Sequence, residues 1–173
     1  MALLLPLLAA MVVCICGSVS SLGCNLPHNS VMLSRRTLDL LDQMRRVSPF
    51  LCLKDRRDFR LPREMVDGVQ LQKAQAMSVS QLVLQQTLQL FSTDHASAAW
   101  DETLLLQLRS ELFQHVEALQ PCLVQATGGD RSAEDPSLAL RRYFRRIHLY
   151  LKEKKYSDCA WEIVRSEIMR AFS

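Results

Sequence analysis

With 173 residues, 49% of them hydrophobic and 23% charged, and only five Gly and six Pro, the chain is too apolar and too poor in breakers to be disordered, collagenous or of low complexity. A net charge of +3, from 21 Lys and Arg against 18 Asp and Glu, is too balanced for a dedicated nucleic-acid binder or an acidic solvating tail. The 6% aromatic content, beside many Leu, Gln and Arg, favours helix over strand and sets an all-α fold as the expectation.

At the amino end, Ala2 to Cys16 is apolar apart from Pro6, too short for a comfortable membrane span, and is followed by the small residues Ser21 and Gly23. This pattern predicts a secretory signal over 1–23, cut after Gly23, although no Lys or Arg precedes the apolar run. The alternative, a lipoprotein site at Ser21-Leu22-Gly23-Cys24, lacks the Leu expected three residues before the Cys. Cleavage would leave one domain, 24–173, holding Cys24, Cys52, Cys122 and Cys159 and losing Cys14 and Cys16. An even number of cysteines in a secreted chain implies disulfides, with three connectivities open to four cysteines. Free buried thiols are the lesser alternative in an oxidising compartment. A chain of about 150 residues buries roughly 68–70% of its unfolded surface, so bridges would reinforce a true core.

Five stretches then carry a helical period. Over 33–46, Leu33, Leu40, Met44 and Val47 share a face that Leu41 widens. Over 71–91, Met77, Leu84, Leu88 and Phe91 form a stripe while Gln72, Gln75, Gln81, Gln85 and Gln86 fill much of the rest, which reads as an amphipathic surface helix. Over 98–120, Leu105, Leu108, Leu112, Val116 and Leu119 face inward, Asp101 and Glu102 suit the positive end of the helix dipole, and Pro121 is expected to end the element. The fourth opens with Asp135 as N-cap and Pro136 at the first helical position, repeats Leu140, Phe144, Ile147 and Leu151, and closes on Lys152, Lys154 and Lys155. The fifth starts at Ser157 or Asp158 and turns Trp161, Val164, Ile168 and Phe172 inward.

The connections constrain topology. Ser48 to Gln70, with Pro49, Pro62 and Gly68, is a loop of more than twenty residues, unusual unless it crosses the fold or binds something. A second long link holds Pro121 and Gly128-Gly129, whereas only a few residues around Tyr156 separate the last two helices. Long links suit overhand crossings, so the expected fold is a cytokine-like helical bundle with up-up-down-down connectivity and a long first crossover loop.

Signatures of catalysis are missing. The chain has no HExxH, no GxSxG and no glycine-rich phosphate loop, and no CxxC after residue 23. His28, His95, His115 and His148 are scattered without metal-like spacing. Asp39 with Asp42, and Glu162 with Glu167, read as solvated helical positions. The expectation is a non-enzyme without metal or other cofactor.

Basic residues are the informative ones. Arg141 with Arg145 and Arg142 with Arg146 are like-charge pairs at i,i+4, each costing the helix roughly 0.2–0.5 kcal/mol unless acids or a partner compensate. A solvated face, an acidic partner surface and a heparin patch are all open readings. The run Leu53-Lys54-Asp55-Arg56-Arg57-Asp58-Phe59-Arg60 mixes charge with apolar residues in a loop that Cys52 would pin, and a pinned loop loses less entropy on binding. Arg165, Met169 and Ser173 lie at steps of four beside the buried stripe of the last helix, an interface-like composition.

Several strings resemble the type I interferon family. Cys24-Asn25-Leu26-Pro27, Ser34-Arg35-Arg36-Thr37-Leu38, Gln43-Met44-Arg45-Arg46 and Cys52-Leu53-Lys54-Asp55-Arg56 are similar to its opening half, and 97–105 to its middle helix. The run Tyr150 to Glu162 is the most specific, and the likeness covers 24–173. Phe50-Leu51-Cys52 and Tyr156-Ser157-Asp158-Cys159 lean toward omega or delta subtypes more than alpha.

The resemblance implies a five-helix bundle with bridges Cys24–Cys122 and Cys52–Cys159. It further implies a secreted cytokine that brings together the two chains of the interferon alpha/beta receptor and starts JAK–STAT signalling toward an antiviral, antiproliferative state. Carried over by position, the high-affinity chain would meet Leu53, Lys54, Arg56, Arg165, Ser166, Met169, Arg170 and Ser173. The low-affinity chain would meet Leu88, Gln89, Thr93, Leu104, Arg109, Phe113, Arg141, Arg142 and Arg145. Leu88, Arg109 and Phe113 stand where many relatives have aromatic residues, Asp101 replaces an Asn that carries a glycan in some omega members, and Ser173 ends the chain before the usual polar tail. The protein is expected to act as a monomer, without nucleic acid and without insertion into membranes. Outside this family, the competing reading is another helical cytokine or a heparin-binding carrier.

Overall fold

The structure, a computed structural model, describes Cys24 and residues 32–63, 73–126 and 137–173. The expected signal segment, the Asp135–Pro136 helix start and both glycine-containing link centres lie outside the described residues. All regular structure among those described is helical: α1 (Arg35–Gln43), a 3-10 segment (Pro49–Asp55), α2 (Lys73–Leu90), the short α3 (Asp94–Ala99), α4 (Glu102–Ala126), α5 (Ser137–Glu153) and α6 (Asp158–Ala171).

Local chemistry explains most boundaries. The hydroxyls of Ser34, Thr93 and Ser157 accept from the amides of Thr37, Ala96 and Ala160, capping α1, α3 and α6. Asp101 does the same for α4 by accepting from the Leu104 amide at 3.0 Å. Between α5 and α6 the chain reverses through Lys155 and Tyr156, both left-handed at φ 52° and 54°, with the Tyr156 amide donating back to the Leu151 carbonyl at 2.8 Å. This turn confirms the short last connection.

Paired contacts give the helix directions. Leu33 with Phe172, Leu41 with Arg165 and Arg46 with Asp158 run α1 antiparallel to α6. Gln81 with Gln120 and Phe91 with Arg109 run α2 antiparallel to α4. The Phe91 ring 6.1 Å from Trp161 sets the carboxyl end of α2 at the amino end of α6. The expected up-up-down-down order is therefore that of α1, α2, α4 and α6, and α5 runs upward in the connection between the last two.

Two expectations need correction. α2 is no surface helix: Val79 through Leu84 are buried without interruption, because α4 and α5 both pack on it. A helix buried on several sides shows no single apolar stripe. Gln81 is buried among apolar neighbours, with its amide nitrogen donating to Gln120 Oε1 at 3.2 Å. Nor does Pro121 end α4, which continues to Ala126. Pro121 and Glu117 are both exposed, so the carbonyl that loses its amide donor can be solvated, and the bond from Cys122 to Cys24 ties down the turn beyond.

Of the three connectivities open to four cysteines, the structure has Cys24–Cys122 and Cys52–Cys159, with Cα atoms 5.5 and 5.2 Å apart. The inward stripes of α5 and α6 are buried, and Tyr143 and Tyr150 join them.

Candidate functional sites on two faces

The first face is built on the loop after α1. Pro49 starts the 3-10 segment, Cys52 is fully buried in its bridge to α6, and Phe50, Leu51 and Leu53 are left 80%, 76% and 51% exposed. Three bare apolar side chains on a covalently pinned segment form an apolar knob of the kind that marks a binding site.

Beyond the bridge, α5 clamps the loop. Tyr150 donates its hydroxyl to the Asp55 carbonyl at 2.7 Å, and Lys154 pairs with the Asp55 carboxylate at 3.1 Å. Arg57 makes two bonds to Glu153, at 2.7 and 2.9 Å, while its guanidinium lies 5.1 Å from the centre of the Tyr150 ring. Phe59 is buried edge-on to Tyr150 at 5.2 Å, and Arg146 donates to the carbonyls of Phe59 and Arg60 at 2.7 and 2.9 Å. Arg60 itself is left-handed, at φ 54°. Loop numbers rise as α5 numbers fall, so residues 55–60 run antiparallel along α5. Burial pushes the Tyr150 phenol up to about 12, and the Asp55 charge acts in the same direction. Hydrogen bonding to Arg57 holds the Glu153 carboxyl below its usual value.

Arg146 therefore is not simply one of a repelling pair, since it satisfies two loop carbonyls. Residue order carried no signal for this clamp, because each bond joins positions more than eighty residues apart. The buried Phe59 inside a charged run was the one local cue.

Among the expected high-affinity residues, Lys54, Arg56, Arg170 and Ser173 are exposed, and Ser166 and Met169 are half-buried. Arg165 departs from the expectation of a surface contact. It is 2% exposed, bound to Glu162 at 2.6 and 2.9 Å, and donates to the Leu41 carbonyl. Its long side chain turns inward, where the buried carboxylate of Glu162 compensates its charge; Glu162 is thereby a core residue too and not a solvated one. Glu167 is also buried, accepting from the Tyr143 hydroxyl at 3.0 Å and from Arg170 at 2.7 Å. Burial and the adjacent Glu167 carboxylate push the Tyr143 phenol far above its ordinary range.

The second face lies across α2, α4 and α5. Antiparallel packing brings Leu88, Gln89 and Thr93 to the level of Leu104 and Arg109. Arg109 donates to the Phe91 carbonyl at 2.7 Å and to Ser97 Oγ at 2.9 Å, so its head is partly engaged in holding α3. Thr93 is occupied as a cap, Leu88 and Leu104 are half-buried, and Gln89 is exposed. Phe113 is 55% exposed further along α4. Arg141, Arg142 and Arg145 are exposed on α5, which is related to the α4 group through α2, the helix packed on both.

Neither face resembles a catalytic centre. Among the described residues no group of His, Cys, Asp and Glu could hold a metal ion, and no helix is long and apolar enough to cross a membrane. A crevice between Arg46, Val47, Trp100, Asp158 and Trp161 has room for little more than a water molecule.

A helical bundle in up-up-down-down order, pinned by two disulfides and carrying a clamped loop after its first helix, defines the class: a helical cytokine. The comparisons give its family. The interferon alpha/beta domain matches residues 26–173. Human interferon omega-1 is 60% identical over 99% of this chain and 89% of its own length, and horse interferon alpha-1 is 56% identical over 100% and 96%. Zebrafish interferon 2 shares the fold with a TM-score of 0.69 at 22% identity, over 80% of this chain and 91% of its own. The chain belongs to the type I interferons and is omega-like. It is a secreted, extracellular antiviral cytokine and not an enzyme.

Proposed function

We propose that residues 24–173 are the mature cytokine, released from a 1–23 signal, and that it acts as a monomer by bridging the two chains of the interferon alpha/beta receptor to start JAK–STAT signalling. The observation that carries this reading is the clamped loop: Phe50, Leu51 and Leu53 stand exposed on a segment fixed by a disulfide and by α5. Such a segment surrenders little conformational entropy when a partner covers it. The high-affinity chain meets this knob together with Lys54, Arg56, Ser166, Met169, Arg170 and Ser173. Arg165 acts from beneath, by positioning Met169, whose sulfur lies 2.9 Å from the guanidinium. The low-affinity chain takes the opposite face, from Leu88, Gln89, Thr93, Leu104, Arg109 and Phe113 to Arg141, Arg142 and Arg145.

The test is to add the refolded chain 24–173 to matched cells with and without each receptor chain. STAT phosphorylation is expected only where both chains are present. Equal responses in cells lacking either one would overturn the proposal. Separate binding measurements on the two purified ectodomains then assign the faces.

A further inference from the structure

The outward side of α5 is a row of cations. At about 100° per residue, Leu138, Arg141, Arg142, Arg145, Leu149 and Lys152 fall in one arc of roughly 100°. All six are exposed, and no carboxylate lies among them. The row from Arg141 to Lys152 spans about 16 Å at ~1.5 Å per residue. On its flank, Glu153 is engaged by Arg57, and Arg146 by the loop carbonyls that bring the Arg60 backbone alongside. The other acids near α5 are engaged as well: Asp58 accepts from the Arg60 amide and acts electrostatically on Arg170 of α6, Asp55 pairs with Lys154, and Glu167 accepts from Tyr143 and Arg170. No acid pairs with Arg141, Arg142, Arg145 or Lys152 among the described residues.

Fixed like charges at helical spacing are unfavourable in the isolated protein and become favourable against a polyanion, which releases condensed counterions when cations replace them. The row is rich in Arg, whose planar fork matches the oxygens of a sulfate group in a way the point charge of Lys does not. It is linear and single-signed, and its two exposed leucines stand at 138 and 149 without forming a pocket, features that fit a regularly charged polymer better than a folded acidic domain. We infer that the α5 row binds a sulfated polysaccharide. Arg141, Arg142 and Arg145 also belong to the proposed low-affinity receptor face, but the inference does not rest on that reading and is measured without any receptor.

The experiment is binding of the refolded chain 24–173 to immobilised heparin across a salt series. Three proteins are compared: wild type, Arg141→Ala/Arg142→Ala/Arg145→Ala, and the control Arg35→Ala/Arg36→Ala, which alters two exposed arginines on α1. The triple variant is expected to bind at least about tenfold more weakly near physiological salt, and its log-affinity against log-salt slope to fall by about two. The control should change less than about threefold, and fully desulfated heparin should not compete. Far-UV circular dichroism checks the fold, and the single change Arg145→Gln gives a smaller loss in the same direction if the triple variant folds poorly. Absence of wild-type binding at physiological salt, equal losses in the triple variant and the control, or equal competition by desulfated polymer would each overturn the inference.

Discussion

The guanidinium of Arg165 donates to the carbonyl of Leu41, 124 residues away, at 2.9 Å. With Glu162 bound to the same guanidinium, this joins the end of α1 to the middle of α6 beneath the loop that carries the apolar knob. Both charges are 2% exposed, and a buried pair is costly to break because the survivor stays buried and uncompensated. Arg165→Ala should therefore destabilise the protein by about 3–5 kcal/mol, and Glu162→Ala by a similar amount, as read by urea unfolding. Replacing both, as Arg165→Met with Glu162→Leu, should recover most of that loss. If Arg165→Ala lowered receptor binding with no loss of stability, Arg165 would be a direct contact after all.

The two disulfides should be separable in their effects. Each closes a loop of about 100 residues, so loss of either should cost about 2–5 kcal/mol. Only Cys52→Ser/Cys159→Ser also frees the 3-10 segment. Compared at a temperature where both variants remain folded, it should weaken the high-affinity chain markedly more than Cys24→Ser/Cys122→Ser does. Equal losses would show that pinning Phe50, Leu51 and Leu53 does not contribute to binding.

What could be read from residue order divides along the range of the interactions. α5 was legible because it buries one stripe, Leu140, Phe144, Ile147 and Leu151; α6 is buried on more sides, Ala160 through Arg165 without interruption, yet Trp161, Val164, Ile168 and Phe172 still recur at a helical period. The start of α6 was legible to within a residue, at Ser157 or Asp158, and the structure makes Ser157 the cap. α2 was legible as a helix but not as a buried one, since neighbours on several sides bury Gln81 and Ser80 as well as the leucines. Arg165 was misplaced because step-of-four spacing puts it beside Met169 but cannot tell an outward rotamer from one turned onto Leu41. The clamp of Arg146, Tyr150 and Glu153 on residues 55–60 depends wholly on distant pairs. The pinned loop itself was legible as a long, proline-containing link holding a cysteine, although its 3-10 segment was not foreseen.

On the second face, contact and support can be told apart. Phe113 is largely exposed, so Phe113→Ala should alter stability by no more than about 0.5 kcal/mol. It should still weaken the low-affinity chain at least fivefold, by the loss of a large aromatic anchor. Thr93 instead caps α3 by accepting from the Ala96 amide at 3.1 Å, and Thr93→Ala should cost about 1 kcal/mol of stability. Denaturant titration beside ectodomain binding checks both; unchanged binding by Phe113→Ala would remove that residue from the face.

The loop clamp should loosen in acid. Hydrogen bonding to Arg57 lowers the folded-state pKa of Glu153 below the ordinary value of 4.5, so the folded chain favours the ionised form. A depressed carboxylate contributes its stabilisation above the unfolded pKa and loses it as pH falls through the folded value. Below about pH 4.5, amide protection over residues 55–60 should therefore decline in the wild type, after correction for intrinsic exchange rates. Glu153→Gln should start with lower protection at neutral pH and show a smaller decline over that range. The Tyr150–Asp55 bond, the Arg146 bonds and the Cys52–Cys159 bridge remain in both, so the change should be confined to the loop while α5 and α6 stay protected. Identical protection in the two proteins from neutral pH to pH 3 would show that the Arg57–Glu153 pair does not hold the loop.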